Sequence, residues 1–357
     1  MKSSHQRILN HSARAQGRRK DLPLSISRAL VDVDEPKKGF LVCNLMSDQA
    51  QSAESVNAQQ NMQSAADPST KGLYWIDVET IEAEKPDLAL LGLSLASLAK
   101  LTYEKDQAAV RSTLENAGLQ LVTEFQNPFE KRGTQGFVAE TENRLILAFR
   151  GTDEPVDWLR NFRLDPTRWW NIYRYRVHKG FAESLSVVWA VAVAKVLKRA
   201  KEKPVIILGH SLGGAMAMLA ASRFEPSTVR WIHTYGQPLT GTPPFCADFA
   251  ARFAGKYVRW VNNEDVVARV PPEPIYGHTG ILKHFDAAGE LLEVEDVKEH
   301  ERHLWSMTKE ELQAFRTKLG QRQEQRGDGQ RMNPPPGVAD HSMTNGYLPK
   351  LRRLAGV

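Results

Sequence analysis

Apolar side chains between residues 87 and 101 (DLALLGLSLASLAKL) recur at helical spacing, and Asp87, behind Pro86, is placed to cap the first turn. A second amphipathic helix is predicted over 106–116. Residues 119–125 and 136–140 read as strands. Residues 144–149 (RLILAF) are almost wholly apolar, as a strand covered on both faces should be. A long helix with an apolar face is expected over 181–200. It is followed by a short buried strand at 205–209 (VIILG), a helix at 212–222, and β-branched or aromatic segments at 229–235 and 257–261. Short buried strands alternating with helices predict an α/β architecture around a mixed, mostly parallel sheet flanked by helices.

The texture changes after Val270, where Pro271, Pro272 and Pro274 interrupt regular structure. Residues 280–285 and 289–295 suggest a hairpin, and 309–318 a helix. Residues 320–337 are polar and then Pro/Gly-rich, which reads as an inserted surface loop. At the other end, residues 47–70 are rich in Gln, Ser, Ala and Asn and cannot easily repay their ordering entropy. The piece at 39–46 (GFLVCNLM) reads as a strand or a packing segment. The organisation expected is a poorly ordered extension and linker over 1–70, one domain over 71–350, and a C-terminal tail over 351–357. The stretch from Tyr347 to Val357 reads as a short docking segment.

Composition narrows the class. With 357 residues, 41% of them hydrophobic, the chain has material for a substantial core. Cys43 and Cys246 lie far apart, have no neighbour at metal or redox spacing, and read as free thiols. The net charge of +5 is modest for the length, and without a recognisable module no nucleic-acid partner is expected. The first 20 residues hold Lys2, Arg7, Arg14, Arg18, Arg19 and Lys20 and no acidic residue; a solvated arm is the expectation. No apolar signal-peptide core follows, and the apolar runs 88–99 and 187–194 fall short of a bilayer span. A cytoplasmic location is the default, with export or membrane-surface association left open.

The chemistry centres on Gly209-His210-Ser211-Leu212-Gly213. This G-x-S-x-G pentapeptide follows the buried strand VIIL and precedes the helical run GAMAMLAASRF, the strand–turn–helix setting of a nucleophile elbow. The two glycines leave room for close backbone approach, and the helix start aims free N–H groups at the serine. Ser211 needs a base, and the base needs an orienting carboxylate. The histidines that follow are His233, His278, His284, His300, His303 and His341; the acids in useful positions are Asp248, Glu264 and Asp265. Asp265 comes just after the strand YVRWV, where a loop at the carboxyl edge of a sheet begins. Asp248 lies in a helical segment and reads as a solvated charge. Glu264 stays open, because one step of register exchanges it with Asp265.

Four blocks in order resemble the class 3, or fungal-type, lipase family of the α/β-hydrolase superfamily, which includes bacterial members and plant phospholipase A1 relatives. They are LILAFRGTD at 145–153, VHKGF at 177–181, ILGHSLGGAMAMLAA at 207–221 and VRWVNNEDVVARVPP at 258–272. The resemblance covers roughly residues 85–345 and suggests a bacterial member. It implies an α/β-hydrolase fold and a catalytic triad of Ser211, Asp265 and His341. His341, in Asp340-His341 followed by Tyr347, resembles the family's D-H-x-x-Y, although this tyrosine lies six residues on rather than three. His278 is the rival base. The resemblance also implies an oxyanion hole from the N–H groups of Thr152 and Leu212. A lid is implied over about 153–170, with Trp158, Leu159 and Phe162 as its apolar, substrate-facing patch. No cofactor or metal is implied. The activity implied is hydrolysis of carboxylic esters, foremost triacylglycerols, with transient contact at a lipid interface. A phospholipase A1, a short-chain or feruloyl esterase, and a non-catalytic lipid-binding protein of the same fold are the alternatives.

Overall fold

Asp87 and Asp106 each open a helix with a carboxylate that accepts N–H groups of the first turn: Ala89 and Leu90 for one, Ala108 for the other. The computed structural model describes residues 73–126, 135–152, 159, 164–169, 172–271, 274–292, 308–324 and 337–357. All fall in the compact unit Gln63–Val357. The readings for residues 1–70, Cys43 and the segment 39–46 lie outside the described residues.

The chain runs through helices α1 (Val78–Glu82), α2 (Leu88–Leu101) and α3 (Gln107–Asn116) into the antiparallel strands β1 (Gln120–Gln126), β2 (Gln135–Glu140) and β3 (Leu145–Phe149). An antiparallel ribbon follows, β4 (Pro166–Trp169) with β5 (Ile172–His178), and then the long helix α4 (Lys179–Arg199). The parallel part of the sheet is β6 (Val205–His210), β7 (Val229–Tyr235), β8 (Tyr257–Asn262) and β9 (Ile281–Phe285). Helices α5 (Leu212–Ala221) and α6 (Pro243–Arg252) lie between these strands in sequence, with α7 (Lys309–Glu324) and α8 (Leu348–Ala355) after them. The seven-stranded order is β1-β2-β3-β6-β7-β8-β9, parallel from β3 onward.

Strand alternation divides the core into two layers. Leu145, Leu147, Phe149, Val205 and Ile207 point to the face covered by α4, α5 and α6; Ile146, Ala148, Ile206 and Leu208 point to the face covered by α2, α3 and α8. Each fully buried Leu, Ile, Val or Phe among them contributes about 1.5–3 kcal/mol, which is why β3 and β6 need no polar face. On the second face α2 lies close to the sheet: a Cβ on Gly92 would stand 2.5 Å from Cζ2 of Trp260.

Residues 281–285 pair in parallel with β8, and the chain then turns back, with the Leu292 N–H on the His284 carbonyl at 2.7 Å and an antiparallel bridge of Phe285 with Leu291; the rest of the predicted return arm, 293–295, lies outside the described residues. Three expectations need correction. Helix α7 runs to Glu324, into the stretch read as loop, because Gln, Arg and Glu favour helix without an apolar period. The boundary at 351 cuts through α8, whose Leu348 and Leu351 are buried against the α2 layer. Part of the segment read as lid, 166–169, is a strand of the β4–β5 ribbon. Helix α4 is, by length and composition alone, long and apolar enough to cross a membrane. Its Phe181, Leu185, Val188, Ala192, Val193 and Val196 nevertheless pack in the core under the sheet.

Candidate active site

Ser211 sits between the last residue of β6 and the first of α5 with φ 59° and ψ −131°. A side chain in this left-handed region costs about 1–3 kcal/mol, so the turn is held by its surroundings. Its N–H donates to the Tyr235 carbonyl at 2.9 Å, and its own carbonyl accepts the Gly214 N–H at 2.9 Å. The flanking glycines are required by contact. A Cβ on Gly209 would fall 2.2 Å from the Gly213 carbonyl oxygen, and one on Gly213 2.3 Å from that of Phe149. The Ser211 side chain is buried, and its Oγ has no hydrogen-bond partner among the described residues.

Asp265 follows a tight turn at the end of β8, where Asn263 takes φ 45° and Asp265 N–H donates back to the Asn262 carbonyl at 2.9 Å. The turn leaves Glu264 exposed and Asp265 buried. The Asp265 carboxylate lies 2.9 and 2.8 Å from His341 Nδ1 through its two oxygens. It also accepts the Val267 N–H at 2.9 Å and the Tyr347 hydroxyl at 2.7 Å. A buried carboxylate with this many donors is held in one orientation. With Nδ1 against a carboxylate, the proton of the neutral ring belongs on Nδ1, and Nε2 carries the lone pair. That Nε2 is buried and, like Ser211 Oγ, has no partner among the described residues.

His341 is delivered by a segment stitched to the end of β8. Val266 N–H donates to the Gly337 carbonyl at 3.1 Å, Asn262 Nδ2 to the Asp340 carbonyl at 2.8 Å, and Asn263 Nδ2 to the Asp340 carboxylate at 3.0 Å. Past Ser342 the chain makes a wide π turn, with the Tyr347 N–H on the Ser342 carbonyl at 3.0 Å. The extra width brings Tyr347, six residues after His341, round to Asp265. The rings of His210 and His341 stack at 4.5 Å, so the His341 ring stands against the residue preceding Ser211.

Thr152 lies half-buried just past β3, after Gly151, where a Cβ would stand 2.7 Å from that of Ser211. Leu212 opens α5, so its N–H is among those a helix cannot satisfy internally. Trp158 and Phe162 lie outside the described residues. Leu159 is completely buried with Val266, Val267, Val270, Leu312 and Val338, and its carbonyl accepts Arg316 Nε at 2.9 Å. Asp248 accepts the Tyr175 hydroxyl at 2.8 Å. His278 Nε2 donates to the Ala268 carbonyl at 2.7 Å, and burial holds its pKa well below the ordinary imidazole value. His233 accepts from Trp260 Nε1 at 3.2 Å in the core, and His284 donates to the Asn263 carbonyl at 3.0 Å. His300 and His303 are outside the described residues. Among the described residues no group of three or more His, Cys, Asp or Glu is placed to hold a metal ion. Sequence reasoning missed Gly236, where a Cβ would meet both Asp265 and His341, and Tyr103, whose hydroxyl lies 2.7 Å from His210 Nδ1.

Residues 146–275, which carry Ser211 and Asp265, match the family described as lipase (class 3). This segment of the chain is similar to the class 3 lipases. A lipase of Rhizomucor miehei is 34% identical over 142 residues, 37% of this chain and 39% of that protein. A secreted mono- and diacylglycerol lipase of Gibberella zeae is 36% identical over 110 residues, 29% of this chain and 35% of that protein. The chain thus matches under half the length of either relative. A solved triacylglycerol lipase, its catalytic centre described as a serine protease triad, is similar at TM-score 0.50 and 24% identity, over 59% of this chain and 88% of that one. At that identity the likeness shows the fold, an α/β-hydrolase sheet. It agrees with the parallel arrangement of β3, β6, β7, β8 and β9 in this chain.

Proposed function

We propose that the chain is a carboxylic ester hydrolase acting on acylglycerols, with Ser211 as nucleophile, His341 as general base and Asp265 as the orienting carboxylate. One observation carries the reading. Two buried, unpartnered atoms stand in one locality: Ser211 Oγ on a strained turn, and Nε2 of a ring whose other nitrogen is held by a carboxylate. In this reading Nε2 takes the hydroxyl proton as Oγ attacks the ester carbonyl. Asp265 keeps the imidazole in the right tautomer and stabilises the cation. The N–H groups of Thr152 and Leu212 stabilise the tetrahedral oxyanion, each worth about a hundredfold to a thousandfold in rate. His341 returns the proton to the leaving alcohol, and water, activated by the same ring, releases the acid from Ser211.

The acylglycerol class is supported by the names of the relatives, which are lipases of triacylglycerols or of mono- and diacylglycerols. Their description as secreted favours export over the cytoplasmic default. We propose further that the predicted lid segment, without the ribbon strand 166–169, serves as the cover of the acyl cleft and is held at rest where Leu159 packs against the loop after Asp265 and against α7. The catalytic domain, in this reading, runs from residue 71 to the end of α8.

Ser211→Ala tests the reading, assayed on a soluble short-chain ester and on emulsified mono-, di- and triacylglycerols with a fluorophosphonate probe alongside. Wild type labels and hydrolyses, and the variant folds but loses at least about a thousandfold in kcat. Variant activity within tenfold of wild type removes Ser211 from the mechanism. A clear preference for phospholipids or feruloyl esters replaces the acylglycerol class, and absence of labelling and turnover in wild type leaves a lipid-binding protein.

A further inference from the structure

We infer that Tyr103 and His210 are positioning residues that tie the backbone at the oxyanion loop to the backbone of the base; the inference rests on the proposed roles of Ser211 and His341. His210 Nε2 lies 2.8 Å from the His341 carbonyl oxygen, and a carbonyl only accepts, so this nitrogen carries a proton. The ring is almost completely buried, and burial, with the neighbouring His341 and Lys100, keeps it neutral by holding its pKa well below the ordinary value. A neutral imidazole has one ring proton, so Nδ1 is an acceptor. The Tyr103 hydroxyl, 2.7 Å away, must donate to it. That hydroxyl in turn accepts the Gly151 N–H at 3.1 Å.

Every bond in the chain therefore has one direction. Gly151 N–H donates to Tyr103 Oη, Tyr103 O–H to His210 Nδ1, and His210 Nε2–H to the His341 carbonyl. One end is the residue before Thr152 and the other is the main chain of the base, and between them His210 stacks on the ring of His341. The crowding fits a fixed assembly: a Cβ on Gly151 would stand 2.5 Å from the Tyr103 hydroxyl and 2.6 Å from the His210 carbonyl oxygen. Arg150 covers the Tyr103 ring at 5.3 Å, closing it from the other side. The relay touches neither Ser211 Oγ nor His341 Nε2. It acts through the positions of two main-chain segments that the transition state needs in register.

Tyr103→Phe, His210→Phe and the double variant test this, with kcat expressed per site titrated by fluorophosphonate. Tyr103→Phe is expected to lower kcat about tenfold to a hundredfold on a soluble ester while KM stays within about twofold, since misplacement of reacting groups is felt in the chemical step. The double variant is expected to lose no more than the worse single one, as for members of one connected network. Unchanged kcat per site in Tyr103→Phe, or losses that multiply in the double variant, overturn the relay. Long-range 1H–15N spectra of wild-type protein with 15N-histidine provide a readout independent of folding in the variants. A neutral His210 with its proton on Nε2 supports the relay, and a proton on Nδ1 overturns it. Failure of the hydrolase reading shows instead as absence of fluorophosphonate labelling in wild type, which leaves the tautomer measurement interpretable.

Discussion

Gly236→Ala tests the spacing of Asp265 and His341, the proposed acid and base. Gly236 follows β7 at φ 55°, and a Cβ there would lie 2.5 Å from Asp265 Oδ2, 2.8 Å from His341 Nδ1 and 2.9 Å from His341 Cε1. An unbonded carbon and oxygen need roughly 3.3 Å, so the methyl must displace the carboxylate, the imidazole or both by several tenths of an ångström. The carboxylate cannot yield freely, because Val267 N–H and the Tyr347 hydroxyl hold it at 2.9 and 2.7 Å. A misplacement of about 1 Å near the reacting atoms costs about a hundredfold, so a loss of about tenfold to a hundredfold in kcat is expected. The left-handed backbone adds a separate cost of about 1–2 kcal/mol in stability. Gly255→Ala is the control: its φ is 74°, and a Cβ would meet nothing within 4 Å. It should show a similar backbone cost and wild-type kcat. Steady-state kinetics on a soluble ester with urea unfolding of both variants reads the two effects separately. If folded Gly236→Ala keeps kcat within threefold of wild type, the argument that this glycine spaces the acid and base fails.

Two further outcomes follow from backbone strain and burial. Ser211→Gly should be more stable than Ser211→Ala by about 1–3 kcal/mol in urea unfolding, both being inactive, because only glycine takes φ 59° and ψ −131° without penalty; equal midpoints would mean that the turn is unstrained. His233, in the core, has its pKa pushed down to about 3 by burial. Its unfolded value is about 6.5, so between the two values the unfolded chain binds the extra proton and stability falls with falling pH. From pH 7 to pH 5 wild type should lose about 2 kcal/mol more than His233→Gln, whose amide can still accept from Trp260 and never ionises. Parallel stability curves for the two proteins would refute this.

What was legible in the sequence had a local cause. Asp87 announced its helix because a cap and an apolar period stand side by side, and β3 and β6 were legible because a strand buried on both faces has no polar positions to hide it. Ser211 was legible for the same reason: strand, turn and helix are contiguous around it. The elements misread were those decided by distant partners. The ribbon strand Pro166–Trp169 is only four residues long, opens on a proline and pairs with Ile172–His178, and the parallel pairing of Ile281–Phe285 depends on the edge of β8. In the candidate site, Gly236 and Tyr103 carried no signal, since each matters only for what three-dimensional convergence places next to it. His210 stood inside the recognised motif, yet its ring chemistry follows only from its two ring partners.

Asp265 and His341 are 76 residues apart in sequence, a distance that loop-closure physics makes tolerable. Loop closure costs grow only logarithmically, so doubling the intervening chain adds about 0.6 kcal/mol. A single net hydrogen bond contributes about 0.5–1.5 kcal/mol, and the base segment has three to the end of β8, through Gly337 and Asp340, besides the bond of the pair itself. The wide turn at 343–347 then returns Tyr347 to Asp265 and brings α8 onto α2, where Leu348 and Leu351 bury their side chains. The position of His341 is therefore set by anchors immediately before and after it rather than by the length that precedes them. For the same reason, changes of length within 320–337 that spare Gly337 should leave the acid–base pair intact, whereas a single change at Gly236 should not.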